Sequence, residues 1–174
     1  MIGKGKSISH GTAALEYDLA KEIDGQTAAI EIARHELYGC TGAEMVQEMK
    51  PYHADFPNVK NNCLRFEVSP SIEESATFTD ADWAELGNDF MQRMGLANHQ
   101  YIIIRHSGTE SKKEQAHLHI LANRVSLSGE LYRDNWIGKK ATEAANAIAK
   151  ERNFVQSQDI GKANKAEIKE AMDD

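Results

Sequence analysis

The chain has 174 residues with 41% hydrophobic and 27% charged content, which suits one folded domain around a single core and excludes a low-complexity chain. No apolar run approaches the roughly 20 residues of a membrane span, and the polar start from Met1 to His10 lacks the apolar centre of a secretory signal, so no membrane contact and a cytoplasmic location are expected. The net charge of −7 argues against a uniformly basic DNA-binding surface, so any hold on phosphate must come from a local patch.

In chain order, residues 11–22 predict a short helix, with Ala14, Leu15 and Leu19 at helical spacing and Tyr17 among them. Residues 26–50 predict two helical stretches broken near Gly39 to Gly42, the second entered through Thr41 and Glu44 in a capping-box pattern. PYHADFPNVKNN reads as a loop. Residues 63–68 alternate as a strand, with Leu64, Phe66 and Val68 on one face and Arg65 and Glu67 on the other. Thr79-Asp80 opens a helix carrying Trp83, Leu86, Phe90 and Met94, and Gly95 stops it. Residues 100–106 and 116–125 predict two strands that pair antiparallel across a polar loop. Ser126 to Gly129 turn into a short strand at 130–133, and 139–152 form an alanine-rich helix. This order predicts an α+β fold with a mostly antiparallel central sheet and helices packed on it. Residues 1–155 would form the catalytic domain, and 156–174 a charged tail or the start of a further element. Cys40 and Cys63 lack metal or redox spacing and are expected to be free thiols.

Three histidines carry the chemistry. His117 and His119 lie two apart on a strand and so share a face, and His106 ends the neighbouring strand within reach of them. Three imidazoles converging on one face make a metal site with open positions for water or a phosphate oxygen. The plainer alternative is a set of surface histidines on a solvated sheet. His35, His53 and His99 have no evident partner and are expected at the surface.

The run RHSGTE…AHLHILANRVSLSG at 105–129 resembles the third motif of mobilisation relaxases, DNA-nicking enzymes of the His-hydrophobic-His endonuclease group. IGKGKSISHGTAALEY at the start is similar to the family's N-terminal strand, basic turn and tyrosine-bearing helix. FEVSPS at 66–71 falls where the family has its second motif. The family's His-Thr-Asp is here His106-Ser107-Gly108, with Glu110 as the nearest carboxylate, and its His-Pro is Gln115-Ala116.

The resemblance implies a relaxase- and replication-initiator-like fold that nicks DNA strand-specifically at an origin of transfer by transesterification. Tyr17 is then the nucleophile and leaves a 5′-phosphotyrosyl intermediate, with His10 as the alternative. His106, His117 and His119 hold a divalent cation, Mn²⁺ or Mg²⁺ first, although Zn²⁺, Ni²⁺ or Co²⁺ can occupy such a site. Glu67 orients a ligand histidine or accepts the tyrosine proton. Lys4 and Lys6 meet phosphate, while Asn123 and Arg124 touch the DNA backbone or brace the sheet. Implied partners are single-stranded or supercoiled origin DNA, accessory mobilisation proteins and a coupling protein. Further basic surface is expected from Arg105, Arg133, Lys139 and Lys140, and the acidic residues from Glu73 to Asp89 are expected on a face turned away from DNA. The alternative from a different class is a metal-bearing origin-recognition module that binds DNA without nicking it.

Overall fold

The computed structural model describes residues 1–109, 111–112, 115–157, 159, 165 and 169–172. Most of the predicted tail at 156–174, and Glu110 in the loop before His117, lie outside the described residues.

Strand β1 (Ile2–Ile8) leads into helix α1 (Gly11–Leu19), and a two-stranded ribbon follows, β2 (Glu22–Ile23) and β3 (Gln26–Thr27). Asp24 and Gly25 turn that ribbon with positive φ of 53° and 74°, the conformation for which Asp-Gly is favoured in tight hairpins. The helix predicted over 11–22 therefore ends at Leu19. Strand β4 (Ala29–His35) replaces the first helical stretch expected within 26–50. It is an edge strand with a register shift between Glu31 and Ala33. A half-covered, bulged edge does not show strict alternation, so its Ala and Glu residues read as helix formers.

Helix α2 (Gly42–Met49) starts at the expected capping box, with Thr41 accepting from the Glu44 N–H. A single 3₁₀ turn, Lys50–His53, interrupts the predicted loop before β5 (Cys63–Ser69). After the one-turn α3 (Ile72–Ser75) comes α4 (Asp80–Arg93), capped by Thr79 and Asp82. Gly95 follows it with φ 77°. Strands β6 (Tyr101–His106) and β7 (His117–Asn123) pair antiparallel, and α5 (Ile137–Glu151) ends the described domain. The short strand expected at 130–133 is only an isolated bridge between Val125 and Leu131.

The main sheet has the order β1-β5-β7-β6-β4 with every pair antiparallel. One face buries Leu64, Phe66, Val68, Leu118, Ile120, Ala122 and Ile103 against α4 and α5. Helix α5 approaches β1 so closely that a Cβ on Gly3 would lie 2.4 Å from the Ala141 carbonyl oxygen, so glycine there is a packing requirement. The other face buries Ile8, Cys63, Ile102, Ile104 and Leu121 against α1 and α2. The sheet is thus sandwiched between two helical layers, and the period-2 alternation of β5 and β7 decides what each layer meets. Both cysteines are free, Cys40 exposed and Cys63 buried. No described helix is long and apolar enough to cross a membrane.

Candidate metal centre

On the α1 face, the apolar packing gives way to polar groups toward the β7 start. Register places His106 opposite His117, and His119 between Glu67 on β5 and Ile104 on β6. The three imidazoles converge, with one ring nitrogen from each within 4.8 Å of the others. His106 is 2% and His117 4% exposed, which replaces the picture of histidines on a solvated sheet.

Hydrogen bonds fix which nitrogens are available. His106 Nε2 faces the Asp18 carbonyl at 2.8 Å, and His117 Nδ1 faces the Gln115 carbonyl at 2.9 Å. A carbonyl only accepts, so both of these nitrogens carry hydrogen, and the neutral rings keep their lone pairs on His106 Nδ1 and His117 Nε2. His117 Nε2 then meets His119 Nε2 at 3.0 Å. His119 Nδ1 is buried without a hydrogen-bond partner among the described residues. Burial, followed by its neighbours His106 and His117, pushes the His119 imidazolium down to about 2, and burial also lowers His106.

Three converging ring nitrogens, with lone pairs left on His106 Nδ1 and His117 Nε2, and a buried His119 nitrogen without a hydrogen-bond partner among the described residues would suit a shared cation. Two nitrogens at metal bonds of roughly 2.0–2.1 Å come close to the His117–His119 spacing. The residues therefore fit a divalent ion held by His106, His117 and His119.

Sequence reasoning missed Asp18. It is 1% exposed, and it receives the Arg65 guanidinium through Nε at 3.2 Å and through Nη2. Its Oδ1 lies 3.9 Å from His119 Nδ1. One residue thus contacts His106 through its backbone and approaches His119 through its carboxylate. A carboxylate in the buried part of a helix, directly after the tyrosine, was the available signal, because a buried charge needs a partner.

Tyr17 precedes Asp18 and is 62% exposed on α1, with the Lys21 ammonium 5.7 Å from its ring centroid. Helix α1 is held by Glu16, whose Oε1 accepts from the Ala43 N–H at 2.9 Å at the start of α2. His10 stands at the other end of α1, about 12 Å along the axis from Asp18 at 1.5 Å per residue. It borders a separate hollow with Lys50 and His53.

Lys4, Lys6, Arg65, Glu67 and His119 line one cavity of about 210 Å³. Lys4 stands opposite Glu67 and Lys6 opposite Arg65 on the β1–β5 ladder. The lysines lie within a strand, where the resemblance suggested a basic turn. Glu67 makes no hydrogen bond or ion pair among the described residues, where Asp18 is the carboxylate that comes within 4 Å of a triad nitrogen.

Asn123 and Arg124 are structural braces in this fold. Asn123 is fully buried and donates to the Met49 carbonyl and Gln100 Oε1, while its Oδ1 accepts from Val125 N–H and faces His53 Nε2. With no exposed surface it cannot touch DNA, which corrects that half of the expectation. Arg124 donates to the carbonyls of Tyr132 and Asn61 and pairs with Asp134. His99 is also buried, with Nδ1 on the Asn123 carbonyl at 2.7 Å, and His35 Nδ1 is on the His99 carbonyl at 2.8 Å. His35, His53 and His99 therefore have partners, contrary to the sequence expectation. Arg105 points to the opposite layer and pairs with Asp80.

A family model described as Relaxase: MobA/VirD2-like, nuclease domain matches residues 17–154. Comparison with curated proteins finds no match.

Proposed function

The chain belongs to the relaxase family of MobA/VirD2-like nuclease domains, whose members nick DNA in mobilisation, and from that premise we propose that it cuts one strand at an origin of transfer through a 5′-phosphotyrosyl intermediate on Tyr17. The observation that carries this reading is the convergence of His106, His117 and His119 beside the residue that follows Tyr17 in α1.

The geometry supports the following roles. His106, His117 and His119 hold the divalent cation, Mn²⁺ or Mg²⁺ in the first instance. When bound, the ion polarises a non-bridging phosphate oxygen and offsets the charge that builds there. Asp18 orients His106 through its carbonyl and sets its carboxylate 3.9 Å from His119 Nδ1, the task usually performed by carboxylates and carbonyls behind ligand histidines. Lys4 and Lys6 receive phosphates of the incoming strand along the cleft.

Tyr17 Oη attacks phosphorus as its bond to the 3′ oxygen breaks. The phenol proton passes to Glu67, the unpaired carboxylate of the cleft, and from there to the leaving 3′ oxygen. The phosphodiester becomes a phosphotyrosyl ester, so bond energy is kept and the same groups can rejoin the strand. Exposure of Tyr17 suits a nucleophile that must meet a macromolecular strand, and the position of His10 at the far end of α1 favours tyrosine over histidine. Residues 1–155 form the catalytic unit on this reading. Pairing of β1 with β5 along its whole length supports including the residues before Tyr17.

The test is conversion of a supercoiled plasmid carrying the transfer origin to open circles with Mn²⁺. Tyr17→Phe should lose nicking by at least ~10³-fold while keeping cation and DNA binding. Full nicking by that variant would sink the tyrosine assignment. Binding by the unaltered chain with no cleavage, under both Mn²⁺ and Mg²⁺, would favour an origin-recognition module.

A further inference from the structure

Trp136 has no part in the chemistry above, and its setting is unusual. Its indole is 78% exposed, whereas the chain's other tryptophan, Trp83, is 2% exposed in the core. Its backbone is left-handed, with φ 59° and ψ 28°, a conformation that is strained for a bulky L residue. Glycine or asparagine would hold this turn with less strain, and the indole makes no cap to the helix behind it. The ring is therefore presented to solvent against its own backbone preference, which points to a use for its surface.

The surroundings indicate the occupant. Trp136, Lys139, Lys140 and Glu143 line a shallow cavity of about 280 Å³, and Arg133 is exposed just before it. Lys140 is braced in place, with Nζ donating to the Arg133 carbonyl at 3.2 Å and lying 5.4 Å from the Tyr132 ring centroid. The nearby Asp134 is already engaged by Ser7 and Arg124.

This segment is docked on β1. Ser7 Oγ donates to Asp134 Oδ2 at 2.7 Å, and a Cβ on Gly138 would lie 3.6 Å from the Gly5 carbonyl oxygen. Strand β1 is an edge of the sheet. Lys4 and Lys6 project from its other side into the cleft with Glu67 and His119. One edge strand thus separates the cleft from an exposed aromatic ring flanked by cations. An aromatic face with cations on either side is complementary to an unpaired base between two phosphates.

Resting on the relaxase reading, we infer that Trp136 is a stacking platform for an unpaired base of the DNA strand where it crosses the free edge of β1. Arg133, Lys139 and Lys140 hold the flanking phosphates. This extends the binding surface of an acidic protein beyond the two lysines of the cleft.

The experiment titrates the metal-free full chain with single-stranded oligothymidylate at low salt, following tryptophan emission and the anisotropy of labelled DNA together. Because Trp83 is buried, quenching reports Trp136, and it should saturate with the same Kd as the anisotropy. Trp136→Ala should weaken binding roughly tenfold and Trp136→Phe much less. Trp136→Gly should weaken it as much as alanine while raising Tm, since glycine relieves the left-handed strain. A residue with a purely structural role would not separate stability from affinity in that direction. Binding by Trp136→Ala and Trp136→Gly at the original Kd, or saturated binding without quenching, would overturn the inference alone. The titration contains no metal and reads no cleavage, so a failed nicking assignment is read separately. Absence of any single-strand binding by the unaltered chain would overturn both.

Discussion

The two ends of the β6–β7 pair use the same residue type in opposite ways. At one end, His106, His117 and His119 turn nitrogens toward each other, and His119 Nδ1 has no hydrogen-bond partner among the described residues. At the other, His35, His53 and His99 each spend a ring nitrogen on a protein oxygen of His99 or Asn123. The first group converges on one point, and the second is tied into the protein. Histidine count and burial do not distinguish them, because His99 and His117 are about equally buried. What differs is that one further ring nitrogen from each histidine of the first group converges within 4.8 Å, so metal binding is expected at the first end and bracing at the second.

The largest contrast is expected from single removals at the two ends. His117→Ala should lower Mn²⁺ affinity by more than ~100-fold in calorimetry and abolish nicking. His53→Ala should leave the Mn²⁺ affinity unchanged and lower only stability. Equal losses of metal affinity from both would erase the distinction.

The next effect concerns Asp18. Asp18→Asn keeps the shape and the backbone carbonyl but removes the charge beside His119 and Arg65. Metal affinity should fall by roughly 10–100-fold with the fold intact by circular dichroism. Glu67→Gln should leave metal affinity nearly unchanged and reduce nicking. The reverse ranking would restore Glu67 as the residue that orients the ligands.

At the braced end, Asn123→Ala strands several buried partners together, including the Met49 carbonyl, Gln100 Oε1 and the Val125 N–H. The expected cost is about 2–3 kcal/mol in urea unfolding. Metal affinity in the surviving folded protein should be retained.

The smallest effect is a pH dependence of stability. Burial lowers the His99 pKa, against which its bond to the Asn123 carbonyl and the charge of Glu130 work in the opposite direction. The unfolded chain binds a proton near pH ~6.5, where folded His99 stays neutral. Its contribution is therefore fully present above that pH and is lost as pH falls through the folded value. Urea midpoints should decline below about pH 6.5 in the unaltered protein, and the decline should be shallower in His99→Gln.

Much of this was legible in the sequence because it rests on local rules. The period-2 pattern of Leu64, Phe66 and Val68 assigns β5 and its faces, the Thr41 and Thr79 capping boxes start two helices, and the H-x-H spacing puts His117 and His119 on one face. The parts that were missed depend on tertiary partners. Strand β4 is set by pairing with β6 and a bulge, which its Ala- and Glu-containing sequence does not announce. The Asp24-Gly25 hairpin, by contrast, is carried by a local signal in the sequence. Asp18 gains its meaning only when α1 is laid over the triad, and the choice between DNA contact and bracing at Asn123 depends on its buried partners. The two faces also divide the charges. Arg105 and Asp80 belong to the α4 layer, and Lys4, Lys6 and Arg65 to the α1 layer. A net charge of −7 is thereby compatible with a basic cleft.

The most direct measurement of the central claim is the identity of the residue that becomes joined to DNA. The full chain would be incubated with Mn²⁺ and a single-stranded origin oligonucleotide, denatured, digested, and the DNA-bearing peptide sequenced by mass spectrometry. The account predicts an adduct on Tyr17 that disappears with chelator and in His117→Ala. An adduct on His10 or any other residue, or cleavage that persists without the triad, would contradict it.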